Sequence, residues 1–299
     1  MVSSTIAARS LGAAIGVLAD LAFGEPPLEP HPVSLFGRLM RGVETTLYRD
    51  RRPAGVLHTA VGVAVGAGAG LVLRSTAVAT YLSVAHTALV ESALEISSAL
   101  DDDDLPRARA LLPTLVGRDP TNLDASEITR AVVESLAENT VDAVVAPVLW
   151  ALAGGAPGTL GYRAVNTMDA TVGYRNERYR RYGWASARLD DVANFIPARF
   201  TAALVVLVRP PTARAVWRAV RADAPGHPSP NAGVAEAAFA AALGVRLGGV
   251  NTYGTVVEAR AVLGTGRRPE GADILAAVAL GRELTYALVG LLLALAVLA

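Results

Sequence analysis

Apolar residues in this chain come in long unbroken runs rather than in the narrow stripes of a soluble helix. Residues 54–73 (AGVLHTAVGVAVGAGAGLVL) hold one histidine and no charge, with Arg49, Arg51 and Arg52 before them and Arg74 after. At about 1.5 Å per residue, a helix of this length crosses the roughly 30 Å hydrocarbon core of a bilayer. Gly62, Gly66 and Gly70 recur at every fourth position and form a small-residue face suited to close helix packing. Residues 284–299 (LTYALVGLLLALAVLA) predict a second span, and residues 6–23, apolar apart from Arg9, Ser10 and Asp20, a third. A signal peptide competes for residues 6–23, but Asp20 and the absence of a small-x-small cleavage site argue against removal. Residues 75–96 carry His86, Glu91 and Glu95 and form a less apolar fourth candidate. The runs 143–153 and 200–208 are too short to cross alone, and are expected to pack inside the protein or dip into the membrane. The pattern predicts an all-α, polytopic helical membrane protein with four to five membrane helices and short or re-entrant apolar segments.

Arginine counting sets an expected orientation. The 31–53 loop holds Arg38, Arg41, Arg49, Arg51 and Arg52, which assigns it to the cytoplasm; the expected location is the cell (inner or plasma) membrane. Spans at 54–73 and 75–96 then return the chain to the cytoplasm, leaving a polar region of about 97–280 at that face. Asp101 to Asp104 read as a solvated turn. No internal repeat or long linker divides the sequence, so residues 1–299 are expected to form one integral-membrane domain.

Composition narrows the chemistry. The chain is 52% hydrophobic and 18% charged, which excludes disorder. Its 27 basic and 27 acidic residues cancel, so no bulk field draws it to nucleic acid. Every basic residue is arginine. Without lysine there is no Walker A phosphate loop, lysine Schiff base or lysyl adenylation. Without cysteine there is no disulfide, thiolate nucleophile, thiolate zinc site or Fe–S cluster.

Polar residues gather in three blocks. In the first, GRDPTNLDASEITRAVVESLAENTVDAVVAP, Asp124 followed by Glu127 has the form of a capping box. Arg130, Glu134, Glu138 and Asp142 then fall four apart along one helix face. Pairing explains Arg130 with Glu134, but like charges at that spacing repel. The three carboxylates need a cation: a divalent ion such as Mg²⁺ or arginines from elsewhere, unless the face is simply wet. Pro147 is expected to bend or end this helix. The second block, residues 161–199, interleaves Arg163, Arg175, Arg178, Arg180, Arg181, Arg188 and Arg199 with five tyrosine and tryptophan rings. Such forks clamp phosphates and carboxylates, and the same composition suits anionic lipid headgroups. Asp190 and Asp191 beside Asn194 add hard oxygen donors. In the third block, His227, Ser229 and Asn231 lead into an apolar helix at 233–243, an arrangement that suits either an anion site or a plain cap. GEPPLEPHPV at 24–33 places His31 in another proline-bounded loop, while His58 and His86 sit in apolar segments and read as packing contacts.

Together these blocks resemble the CobD/CbiB family, membrane-bound cobinamide-phosphate synthases of cobalamin biosynthesis. The match is carried by Asp20 with GEPPLEPHPV, GRDPTNLD, RAVVESLAENTVDAVVAP, YRAVNTMDATVGYRNERY, GWASARLDDVANFIPAR and SPNAGVAEAAFAAALGVRLGG, in family order from residue 20 to about 264. The sequence departs from the family pattern at Glu25, Pro120 and Ala241, and in ARAVLG at 259–264. The resemblance implies an acid–amine ligase. It would join a carboxylate of adenosylcobyric acid to the amine of (R)-1-amino-2-propanol phosphate or ethanolamine phosphate, with ATP and Mg²⁺ as the activating couple. It implies corrinoid as substrate, and lipids, other cobalamin-biosynthesis enzymes or further copies of the chain as partners. On that basis Glu134, Glu138, Asp142, Asp190 and Asp191 are expected at Mg²⁺, with Glu134 and Glu138 also in catalysis. Arg163, Arg175, Arg178 and Arg188 are expected on phosphates. Asn139, Asn166, Asn194 and Asn231 are expected on the substrate, and His31 or His227 as acceptor of the amine's proton. A membrane scaffold or sensor organising corrinoid enzymes is the non-catalytic alternative, and a transporter is a third reading, disfavoured because no repeated halves are visible.

Overall fold

The computed structural model describes residues 2–174, 176–253 and 256–299, and the side chains of all of these except 2 and 250–259. The first seven helices are α1 (Val2–Phe23), α2 (Pro32–Leu47), α3 (Arg52–Leu73), α4 (Thr76–Tyr81), α5 (His86–Asp101), α6 (Leu105–Leu111) and α7 (Ala125–Thr140). They are followed by α8 (Ala146–Val172), α9 (Tyr179–Tyr182), α10 (Trp184–Ala193), α11 (Phe195–Val208), α12 (Ala213–Ala222) and α13 (Ala232–Leu243). Strands β1 (Leu247–Tyr253) and β2 (Val256–Leu263) then precede the closing helix α14 (Ala272–Leu298). The chain sorts into two compact units: unit 1 takes Met1–Ala85, Asp142–Asn194 and Val289–Ala299, and unit 2 takes His86–Val141 and Phe195–Leu288.

Unit 1 is built on helix pairs brought together by glycine. A Cβ added at Gly66 would lie 2.6 Å from the Leu160 carbonyl oxygen, and one at Gly70 2.5 Å from that of Ala156. A Cβ at Gly62 would meet the Met168 sulfur at 2.2 Å, so the small-residue face of α3 lies directly on α8. The Thr59 and Ser186 hydroxyls, 2.9 Å apart, tie α3 to α10, and His58 Nε2 stands 3.2 Å from the Met40 carbonyl of α2. In unit 2, α7 packs on α5, α13 and β1, while α13 packs on α11 and α12. His86 meets the Thr285 hydroxyl at 3.2 Å.

Among the described residues six helical segments are long and apolar enough to cross a membrane: Ser3–Phe23, Arg52–Leu73, Thr76–Asp101, Ala125–Val172, Trp184–Val208 and Ala272–Leu298. The protein is a multi-pass membrane protein with more such helices than the four to five expected. The excess comes from the runs 143–153 and 200–208, which are not isolated dips but parts of the fourth and fifth segments. Helix continues beyond each run through polar residues that are buried and bonded, such as Arg130, Glu134 and Asn194. Both segments lie within 97–280.

Pro147 does not end the helix. The preceding turn, Val141–Val145, is π-helical, and Pro147 falls in the first turn of α8, where the lack of an N–H costs little. The break comes later, at Gly155 (φ 61°, ψ −147°) before Pro157. Helix α7 starts with the expected capping box of Asp124 and Glu127. The fold departs from all-α in one antiparallel hairpin, β1 with β2. Its register shifts between Leu247 and Gly249, and Gly248 there has φ +77°; a Cβ on it would lie 2.0 Å from the Ala261 carbonyl oxygen. Only glycine fits that bulge.

Candidate functional site

Each unit carries its own polar cluster. In unit 1 the cluster is built from carboxylates and amides. Asp142 enters from the π-helical turn, Tyr162, Arg163 and Asn166 from α8, and Asp190 with Asn194 from α10 and its end. The Asn166 side-chain amide donates to Asp142 Oδ2 at 3.0 Å and lies 3.5 Å from Asp190 Oδ1. One NH₂ group thus bridges two carboxylates. Asn194 donates to Asp190 Oδ2 at 3.0 Å and accepts the Tyr162 hydroxyl at 2.8 Å. Arg163 Nη1 donates to the Asn166 carbonyl oxygen at 3.3 Å, while its Nε is buried without a hydrogen-bond partner among the described residues.

The loop before α2 lies beside this cluster. Glu25 and Asp142 are among the acidic groups whose charge acts on Arg163. Pro30 and Pro32, on either side of His31, share with Arg163 the lining of an apolar groove of about 580 Å³ formed with Phe36, Val65 and Leu160. His31 caps α2, its Nδ1 accepting the Val33 N–H at 3.3 Å; Nε2 is buried without a partner among the described residues. With Nδ1 as acceptor, the neutral ring carries its proton on Nε2.

Three other expected residues of unit 1 take different partners. Asp191 pairs with Arg188 at 3.2 Å in an exposed ion pair one helical turn wide. Arg178 forks onto Glu44, with Nη2 at 2.8 Å, and stacks on the Tyr48 ring at 4.3 Å, holding the segment before α9 to the end of α2. Arg175 lies outside the described residues.

Unit 2 builds its cluster from guanidinium groups. Glu134 on α7 is buried between Arg118, in a close ion pair, and Arg130 at 3.4 Å. Glu134 Oε1 also accepts the Gly248 N–H at 2.8 Å, and Arg130 donates to the Gly248 carbonyl. The hairpin bulge and the ion pair therefore satisfy each other. Glu138, one turn further on, is exposed, with Arg260, Glu134 and Arg118 supplying the charges that act on it. Asn139 folds back onto its own helix, donating to the Ser135 carbonyl and hydroxyl at 3.0 and 3.1 Å. Asn231 accepts from Arg199 at 3.0 Å.

His227 is buried: its Nδ1 accepts the Ser229 N–H at 3.1 Å, and Nε2 stands 3.5 Å from Glu236 Oε1. Nδ1 also stands 3.2 Å from the Ser229 carbonyl oxygen, so the backbone of Ser229 holds this edge of the ring and leaves Nε2 facing Glu236. Burial, with the negative charges of Glu134 and Glu138, pushes the Glu236 carboxyl well above the usual carboxylate range. Sequence reasoning passed over Arg118, Arg260 and Glu236. The available signal was a lone carboxylate inside the otherwise apolar helix Ala232–Leu243.

The two clusters differ in what they leave to bind. Among the described residues no three acidic or histidine side chains converge as a ready metal cage. Mg²⁺, however, is commonly held by one or two carboxylates plus phosphate oxygens and water. The amide-bridged pair Asp142 and Asp190 fits that requirement, whereas the Glu134 oxygens are taken up by two arginines and a backbone amide.

The family model described as CobD/Cbib protein matches residues 13–281. A protein of Mycobacterium tuberculosis (strain H37Rv), named cobalamin biosynthesis protein CobD, is 49% identical over 297 residues, covering 94% of each chain. Proteins of the same name from Geobacter metallireducens and Rhodobacter capsulatus are 44% and 40% identical, covering 85% and 90% of this chain and 86% and 91% of their own. No solved structure matches the chain.

Proposed function

The chain belongs to the CobD/CbiB family and acts in cobalamin biosynthesis, and from that premise we propose that it is an acid–amine ligase. The proposed reaction joins a carboxylate of adenosylcobyric acid to the amine of an aminoalkyl phosphate, giving adenosylcobinamide phosphate. The observation that carries the reading is the amide-bridged pair of Asp142 and Asp190, two carboxylates brought together by Asn166, which also accepts from Arg163. A pair of this kind offers hard oxygen donors to the metal of a metal-bound polyphosphate.

ATP with Mg²⁺ would supply the activation that a free carboxylate lacks. Asp142 and Asp190 would hold the metal, their positions fixed by Asn166 and by the Asn194–Tyr162 link. Arg163 would offset charge building on the reacting carboxylate from a site that excludes most water. The amine sheds a proton as the amide forms. His31 would take it at Nε2, which requires the ring's own proton to move to Nδ1 and the 3.3 Å cap on α2 to open. We place this chemistry at the cytoplasmic face, on the arginines of the 31–53 loop.

The test is direct. Purified protein in detergent, given adenosylcobyric acid, ATP, Mg²⁺ and aminopropanol phosphate, is expected to form adenosylcobinamide phosphate. Absence of product beside an active relative assayed in parallel would discard the ligase reading in favour of a scaffold.

A further inference from the structure

Unit 2 contains a second polar cavity that the proposed chemistry does not use. It measures about 270 Å³ and is lined by Arg130, Arg246 and Arg268, by Glu127, and by the backbone of Gly248 and Gly249, with Leu247, Val262 and Pro269 as apolar wall. We propose that this cavity is a binding site for a phosphate-bearing anion.

The sequence puts two of these arginines side by side by stitching distant segments together. The Arg246 N–H donates to the Arg267 carbonyl at 2.9 Å, and the Arg267 N–H to Gly244 at 3.3 Å. Val245 and Arg267 form a parallel bridge, so positions 246 and 268 flank one seam. The third arginine arrives from α7 and is anchored by its bond to Gly248 in the hairpin bulge.

Charge accounting favours an anion. Among the described residues the Arg268 side chain meets the exposed Asp124 at 3.4 Å, a contact of little strength in water. Arg246 is exposed and has no side-chain partner among the described residues. The one carboxylate of the lining, Glu127, is committed to the capping box, where it accepts the Asp124 N–H at 2.9 Å. The first turn of α7 adds the positive end of a helix dipole. Size limits the ligand: the cavity suits a phosphate or small phosphomonoester and is far too small for a corrin ring. Guanidinium forks match phosphate oxygens two at a time, which a lysine-free chain achieves with arginine alone.

The site stands apart from the ligase reading, and its test does not pass through amide formation. Inorganic phosphate is titrated calorimetrically into the full chain in nanodiscs of phosphatidylcholine. The double variant R246A/R268A alters two exposed side chains, so the fold is retained, which thermal unfolding checks. It is expected to bind phosphate about tenfold or more weakly than the wild type. The charge-matched control R180A/R214A, at two exposed arginines elsewhere, is expected to bind like the wild type. A repeat in discs containing phosphatidylglycerol separates the sources of the phosphate group. Wild-type affinity that falls there identifies a lipid headgroup as the natural occupant, and unchanged affinity a soluble phosphate. Equal affinity of wild type and R246A/R268A, or an equal loss in the control, overturns the proposal.

Discussion

The polar clusters of the two units use the same residue types to opposite ends. In unit 2, Glu134 is saturated: two guanidiniums and a backbone amide occupy its oxygens, and its side chain is 4% exposed. In unit 1, Asp142 and Asp190 are spaced by a neutral amide that orients them without cancelling their charge. A carboxylate closed off by arginine locks backbone to backbone, here α7 to the hairpin bulge. Carboxylates bridged by an amide are held side by side as hard oxygen donors. The clusters differ in burial as well as in partner: Glu134 is buried, whereas Asp142 and Asp190 are half-buried.

The sharpest way to break this contrast is Glu134→Ala. It removes the carboxylate paired with Arg118, whose side chain is 5% exposed, and should cost about 3–5 kcal/mol, read as loss of folded protein in detergent. Near-wild-type unfolding would mean that the buried ion pair does not hold the unit together. Asp190→Asn should behave in the reverse sense. It removes one of two facing negative charges, so the melting temperature holds or rises while amide formation falls by about a hundredfold or more. Retained activity would detach the pair from the reaction.

The effect expected at Glu236 is graded with pH. Its raised carboxyl means that the folded chain keeps a proton which the unfolded chain has already lost above its ordinary value of about 4.3. The folded state binds more protons, so wild-type stability falls as pH rises from that point. Glu236→Gln has no such proton, and its advantage over the wild type should grow by at most about 1.4 kcal/mol per pH unit. Melting curves for the two proteins that run parallel from acid to neutral pH would show that Glu236 is ionised in the fold.

Much of this was legible from residue patterns, for identifiable reasons. The span 54–73 is visible because lipid tolerates neither charge nor free backbone there, and its glycine face because close packing admits nothing larger. Asp124 and Glu127 are visible because a cap is local. The segments Ala125–Val172 and Trp184–Val208 were hidden, because hydropathy counts Arg130, Glu134 and Asp190 as polar while the fold pairs them. The π-helical turn before Pro147 depends on tertiary support that no window of sequence reports. In the unit 1 cluster the block structure pointed to Asp142, Asn166, Asp190 and Asn194 together. The diversion of Asp191 to Arg188 and of Arg178 to Glu44 follows from side-chain directions that residue types alone do not encode.

The interleaving of the two units along the chain governs how the protein must be made. Helix α3 leaves the ribosome with its glycine face bare, and α8, which covers it, is translated only after α5, α6 and α7 of the other unit. Lipid tails must fill that face in the interval and be displaced when α8 arrives, so a nascent chain stopped before Ala146 presents to the membrane a helix prepared for a neighbour it will never receive.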